Sequence, residues 1–405
     1  MAQAPDSTPA AAAVRPATVF AMAVACAFAV ATIYYSQPLL PQMAASFPGL
    51  AGHAGLIAML TQVGYALGLL LFVPLGDVRD PRRVVLALVG MNLLALLGCA
   101  VSASAAALLL ASTLVGATAV SAQLIIPALS GLVPGERRGA VVGALLSGLS
   151  AGLLFARTLS GFVGAHWGWR DMYGLAALLD LGLALAVWRL MPALPRTGGP
   201  RYGALLASLV QLLREEPVLR LSALTGLLLF AGFSALWTSL ATLLALPPYH
   251  YGPAVAGSFG LVGIAGLLAS PFIGRLADRI GPARLVLAGA LTVALAFGVL
   301  YGAAACLAGL ILAMVLLDIG NRAGLVANQA RLYAARPDAR SRMNTVFMAA
   351  YFAGGAAGSQ LGNAAAHAGG WQGLALLAGG LALAAFALNL GAQLRASRGP
   401  AAAAH

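Results

Sequence analysis

Apolar residues run along this chain in stretches of about twenty or more, separated by short polar turns. Such runs are too long for strands and too uniformly apolar for helices packed on a water-soluble core. Each is long enough to cross about 30 Å of hydrocarbon as a helix. The pattern predicts twelve spans, at 17–44, 54–76, 82–103, 105–133, 139–165, 171–191, 218–246, 254–276, 283–303, 305–334, 341–365 and 371–394. One longer interruption, 192–217, divides six spans from six. Pro195, Gly198, Gly199 and Pro200 break it, and the stretch ALLASLVQLL that follows has an apolar face at helical spacing. A short helix on the membrane surface is expected there. The predicted units are a disordered Ala/Pro-rich tail (1–16), a bundle (17–191), the linker, a second bundle (218–394) and a tail (395–405).

The two bundles repeat one another. PLGDVRDPRRVVL, Pro74 to Leu86, returns in the second half as RLADRIGPARLVL, Arg275 to Leu287. Asp77 falls on Asp278, Pro81 on Pro282, Arg83 on Arg284 and Leu86 on Leu287. A repeat of half the chain means two similar halves rather than an array of small units. HWGWRDMYGLAALL and HAGGWQGLALLAG match as well, with Trp169 opposite Trp371. The expected fold is an all-α membrane protein of twelve transmembrane helices in two pseudo-symmetric six-helix bundles. That is the plan of a secondary transporter.

Composition agrees: 61% of residues are hydrophobic and 8% charged, against about 45–50% and about 25% in soluble domains. The net charge of +12 does not point to nucleic acid. There is no lysine; all 23 basic residues are arginine, most of them in short loops. With the N-terminus in the cytoplasm, Arg79, Arg82, Arg83, Arg137, Arg138, Arg275, Arg279, Arg284, Arg336, Arg340 and Arg342 share the cytoplasmic side, and Arg170 alone falls outside. The positive-inside rule therefore puts both termini and the linker in the cytoplasm. The three cysteines, Cys26, Cys99 and Cys306, sit in apolar runs and read as small buried hydrophobes. The five histidines are isolated, no cluster has metal-ligand spacing, and no phosphate-binding glycine loop is present. No cofactor or metal is expected, and no catalytic constellation.

The repeated loop resembles that of the major facilitator superfamily, whose loop between spans 2 and 3 reads G-x-L-x-D-R-x-G-R-R. The second copy, Gly274-Arg-Leu-Ala-Asp278-Arg279-Ile-Gly281, matches well; the first keeps Asp77, Arg82 and Arg83 but has Val73 and Asp80 where the glycines fall. The stretches ATIYYSQPLLPQMA, FARTLSGFVG and ANQARLYAARPDARSRMNTVF resemble a bacterial branch of drug or metabolite efflux carriers. The resemblance implies an inner-membrane carrier with spans 1, 4, 7 and 10 around a central cavity. It implies a cytoplasmic gating role for Asp77, Arg82, Arg83, Gly274, Asp278, Arg279 and Arg284. Two departures bear on mechanism. Span 4 carries no arginine, and span 5 lacks the proline of the G-x-x-x-G-P-x-x-G-G pattern of drug antiporters.

Ionisable groups at mid-span cost roughly 2.5–3.5 kcal/mol each on insertion scales and mark function by default. Here they are Arg157 in span 5, Asp180 in span 6, and Asp318 and Arg322 in span 10. Asp318 and Arg322 are four apart, so they share a helix face and can pair, either as a coupling device or as a static pair that neutralises itself. Asp318 is the expected proton-coupling group, with Arg157 a second partner across the cavity. The other cavity candidates are Tyr34, Tyr35, Gln37, Gln123, Trp237, Thr238 and Asn321. Asp180, on a supporting span, is expected to serve packing. The partners expected are a small-molecule substrate, protons and lipid, with the protein a monomer. The leading function is proton-driven export of small amphipathic compounds. A sugar- or amino-acid-specific carrier is the alternative within transport, and a non-transporting sensor the alternative outside it.

Overall fold

The computed structural model describes residues 15–194 and 201–397, and these are almost wholly helical. The proposed tails, apart from residues 15, 16 and 395–397, and the Pro/Gly break of the linker lie outside the described residues. The first six spans are α1 (Pro16–Ala31), α2 (Gly55–Val78), α3 (Pro81–Ala100), α4 (Ala105–Ser130), α5 (Gly135–His166) and α6 (Trp169–Leu190). The second six are α7 (Pro217–Leu244), α8 (Pro253–Ile280), α9 (Pro282–Ala303), α10 (Leu307–Ala335), α11 (340–368) and α12 (371–397). Among the described residues, ten helices are long and apolar enough to cross a membrane. One of the ten, Arg340–Ser397, is two helices joined across the non-helical pair Gly369 and Gly370, which separates α11 from α12. At 16 residues α1 is short by itself. Twelve crossings are reached only when its continuation to Ala45 is counted with it.

That continuation corrects the expectation of one unbroken first span. The helix ends at Ala31, residues 32–36 are turns, Gln37–Leu39 is a 3₁₀ turn, and Leu40–Ala45 is helical again. Proline is the reason. Pro38 and Pro41 donate no backbone hydrogen bond, and each ring crowds the carbonyl four residues back, at Tyr34 and Gln37. Leu39 donates to Ser36 rather than to Tyr35, and the Tyr35 carbonyl accepts from Ser160 Oγ of α5 at 2.9 Å.

A second irregularity lies in α8. Between Ser258 and Ile264 it tightens to a 3₁₀ helix, Phe259–Gly263. With three residues per turn, Gly257, Gly260, Gly263 and Gly266 fall on nearly one face. That face meets α5 and α10. A Cβ at Gly257 would sit 2.5 Å from the Arg157 carbonyl oxygen, and one at Gly260 would lie 3.0 Å from Arg157 Cβ. Small residues are what allow helices in a membrane to approach this closely.

The linker helix is present, Tyr202–Glu215. It buries Leu209 and Leu212 on the protein, and Tyr202 donates to the Leu71 carbonyl of α2 at 2.6 Å. Its apolar side therefore serves the fold as well as any lipid surface. Cys26 and Cys99 are buried, but Cys306 is exposed: it caps the start of α10 in a turn rather than lying inside the span.

The candidate site in the middle of the bundle

Arg157 projects from α5 into the meeting place of the two halves and is 2% exposed. Its Nε donates to Gln37 Oε1 at 2.6 Å. Its guanidinium carbon lies 3.9 Å from the centroid of the Trp237 ring and 4.8 Å from that of Tyr34. One ring comes from α7 and the other from the turn after α1. The cation is thus held between aromatic faces of opposite halves. A desolvated cation–π contact is worth on the order of 2 kcal/mol. Nη2 of the same group is buried without a hydrogen-bond partner, a deficit of about 1–3 kcal/mol.

Sequence reasoning named Tyr34, Gln37, Arg157 and Trp237, and the fold brings all four together. Tyr35, buried as well, lies within electrostatic range of Asp180 of α6. Asp180 is 2% exposed and its Oδ2 has no hydrogen-bond partner. Asp318 lies within electrostatic range of both Arg157 and Arg322 and is half-buried, as is Arg322. Among the described residues it closes no ion pair within 4 Å, so the anticipated Asp318–Arg322 contact is not made in this structure. The spacing puts both on one helix face, but sharing a face does not fix the rotamers. Asp318 instead abuts α8, where a Cβ at Gly263 would stand 3.0 Å from Oδ2. Asn321 donates to the Tyr351 hydroxyl at 2.9 Å.

Thr238 belongs to a polar cluster that sequence reasoning missed. Its hydroxyl donates to Ser359 Oγ at 3.0 Å, Gln62 of α2 donates to the same oxygen at 2.7 Å, and Ser234 donates to Gln62 Oε1 at 3.3 Å. These bonds tie α2 of one half to α7 and α11 of the other. Below them runs an aromatic ladder, also missed. Phe230 stacks on Tyr351 at 3.9 Å, Tyr65 meets Phe352 at 4.3 Å, and Phe233 bridges Phe230 to Trp237. A signal was available: aromatic residues recur on spans 7 and 11 at helical spacing. In a chain this apolar, however, such recurrence does not distinguish cavity from lipid face.

The halves meet firmly at the end away from the linker. Asn363 of α11 donates to the Gly52 carbonyl at 3.1 Å, and Gly161 of α5 packs on Pro253 and Gly257 of α8. Toward the linker, Gly139 and Gly143 of α5 and Gly274 of α8 have room for a Cβ with nothing within 4 Å. Gln123 is placed at that end, where it lines a crevice of about 90 Å³ with Asp77, Leu209 and Arg342.

The repeated loops have diverged. In the first copy Asp80 caps α3, accepting from the Arg82 amide at 3.0 Å and the Leu194 amide at 3.1 Å. Arg82 donates to the Trp188 carbonyl, and Arg83 lies 4.0 Å from Asp80. In the second copy Gly281 adopts φ 82° and caps α9 with no side chain. Asp278, Arg279 and Arg284 are exposed, and Asp278 closes no ion pair among the described residues. The ion pairs of the second half lie elsewhere: Arg336 holds Glu216 at 2.7 Å and Asp338 at 3.1 Å. The guanidinium keeps the Asp338 carboxyl below its ordinary range.

The sequence profile of the Major Facilitator Superfamily matches residues 20–301 and 245–403. The uncharacterized transporter YgaY of Escherichia coli O157:H7 is 39% identical over 371 residues, covering 91% of this chain and 93% of its own. The probable transporter SCO4007 of Streptomyces coelicolor is 35% identical over 362 residues, covering 88% and 83%. Among solved structures, a D-xylose-proton symporter superposes with a TM-score of 0.70 at 15% identity, covering 92% of this chain and 96% of that one. That likeness is one of fold.

Proposed function

Because the chain belongs to the major facilitator superfamily and is a multi-pass membrane transporter, we propose that it works by alternating access around the Arg157 cage, exporting small amphipathic compounds in exchange for protons. The observation that carries this reading is the cage itself. A cation of α5 is clasped between Tyr34 of one half and Trp237 of the other, so rocking of the halves must open or close it. The linker end is cytoplasmic, because the arginines gather there, and with it both termini in a bacterial inner membrane. The far-end contacts then form the outer seal, and the looser linker end faces the cytoplasm. The aromatic ladder offers apolar faces to a substrate body, and the amides of Gln37 and Gln62 offer polar contacts.

Asp318 is the coupling group in this scheme. In one state it stands near two arginines and holds its charge; when α8 and α10 shift, or substrate enters, that support weakens and the carboxylate takes up a proton. The arginine-bearing loops, with Asp77 and Asp278 at helix ends, act at the cytoplasmic face, where charge-assisted pairs form in one state and release in the other. The test is uptake of a panel of amphipathic compounds into inverted membrane vesicles, with and without an imposed proton gradient. Accumulation that follows the gradient and collapses with an uncoupler is expected. Equal uptake with and without the gradient for every transported compound would remove proton coupling and leave a facilitator.

A further inference from the structure

Arg157 holds a donor in reserve. Its Nε is bonded to Gln37, and its two faces are covered by Tyr34 and Trp237. Its Nη2 is buried with no partner. Among the described residues no carboxylate lies within 4 Å of the guanidinium, and Asp318, the acid in electrostatic range, does not touch it. A guanidinium is planar, permanently charged, and shaped to hold an oxyanion along its free edge. Arg157 and Gln37 line a crevice whose other walls, Pro38, Trp237, Leu240, Ala241 and Ala256, are apolar.

We propose that the substrate is a carboxylate with an apolar body, its acid group docking on Nη2 of Arg157 and its body against Trp237 and Leu240. The inference rests on the transporter reading of the same site and narrows its substrate class to anions. The crevice measures about 10 Å³ in this structure, less than a carboxylate needs. Docking therefore requires α7 and α8 to draw away from α5, which ties arrival of the ligand to movement of the halves. Asp318 carries the same charge as the ligand and is attracted by the same arginine, so it competes with the ligand for Arg157. Removing that charge strengthens binding, whereas removing Arg157 weakens it.

The experiment uses the purified full chain in lipid nanodiscs and reads ligand-dependent shifts in thermal unfolding. The probes are matched trios with one body each: 3-phenylpropionate, its amide and 3-phenylpropylamine, then octanoate, octanamide and octylamine. The acids are expected to stabilise the protein and the amides and amines are not. Arg157→Gln is expected to weaken binding of the acids about ten- to hundredfold, the range for loss of a charged hydrogen bond. Asp318→Asn is expected to tighten it. Arg157→Lys, which keeps the charge and loses the planar fork, is expected to fall between wild type and Arg157→Gln. Opposite effects at the two residues are not what a structural role for Arg157 produces. Stabilisation by amines or amides in preference to acids overturns the proposal, as does silence of every acid or unchanged acid binding by Arg157→Gln. The wild-type trios decide the matter even if a variant fails to fold. Transport of the amines or amides in vesicles without acid binding would leave the carrier and discard the anion.

Discussion

In the first half α5 packs on α1 through Gly148 and Gly152, which stand against the backbone of Ala23 and Ala27; in the second, α11 packs on α7 through Gly354 and Gly358, against Leu227 and Ala231. The plan is the same, and it is the plan of close-packed membrane helices. Several departures from it meet at one place. Five residues beyond the second glycine, α5 carries Arg157 and α11 carries Asn363, which only bonds the Gly52 carbonyl. Helix α7 runs unbroken from Pro217 to Leu244, whereas its counterpart α1 stops at Ala31. The 3₁₀ segment of α8 lies against Arg157 too. Both of these irregular stretches therefore touch Arg157, the buried cation among the described residues, while the opposite seam, α2 against α11, is closed by the uncharged Gln62 and Ser359. Duplication supplies a scaffold that holds the halves together; the loss of symmetry between them is where charge, irregular backbone and candidate chemistry coincide.

The largest effect is expected at Asp318, whose charge has no counterpart on α4. Asp318→Asn keeps the shape and removes titration. In inverted vesicles it should abolish gradient-driven accumulation while leaving downhill exchange partly intact. Uphill transport with an unchanged pH dependence would transfer the coupling role to Asp180, the other mid-span carboxylate. Next comes Gly257→Val, which places a side chain against the Arg157 backbone. Overpacking costs about 1–3 kcal/mol, so transport should fall roughly tenfold or more with insertion preserved, and crosslinking between engineered cysteines at the outer ends of α5 and α8 should decline. Normal transport and crosslinking would mean that this seam is not part of the outer closure. The smallest effects belong to the repeated loops. Asp77→Asn or Arg83→Ala should lower transport only about two- to fivefold, since exposed charges contribute up to about 1 kcal/mol, with membrane insertion unchanged. If both variants transport normally, the loops set topology alone.

The loops also show how a motif and its geometry can part. Asp80 departs from the glycine of the superfamily pattern, and the structure supplies the reason. Gly281 has φ 82°, in the left-handed region that favours glycine, whereas Asp80 has φ −57° and uses its side chain to cap α3. The prolines of span 1 were equally visible, yet the helix was expected to continue through them. A membrane can tolerate proline inside a helix when other groups satisfy the freed carbonyls, and that choice depends on neighbours such as Ser160.

The run of membrane-length apolar helices and the mid-span charges were legible in the sequence because each depends on local hydrophobicity. Burying a charge in hydrocarbon is costly wherever the helix goes, so Arg157, Asp180, Asp318 and Arg322 stood out before any fold was known. Which of them meet was decided only by tertiary structure. Arg157 reaches Gln37, Tyr34 and Trp237 because a proline-broken turn and a glycine-lined 3₁₀ segment let three helices approach α5. Asp318 and Arg322, neighbours on one helix face, do not pair. Helical spacing determines which side a residue takes; only the packing of the other helices determines what it finds there.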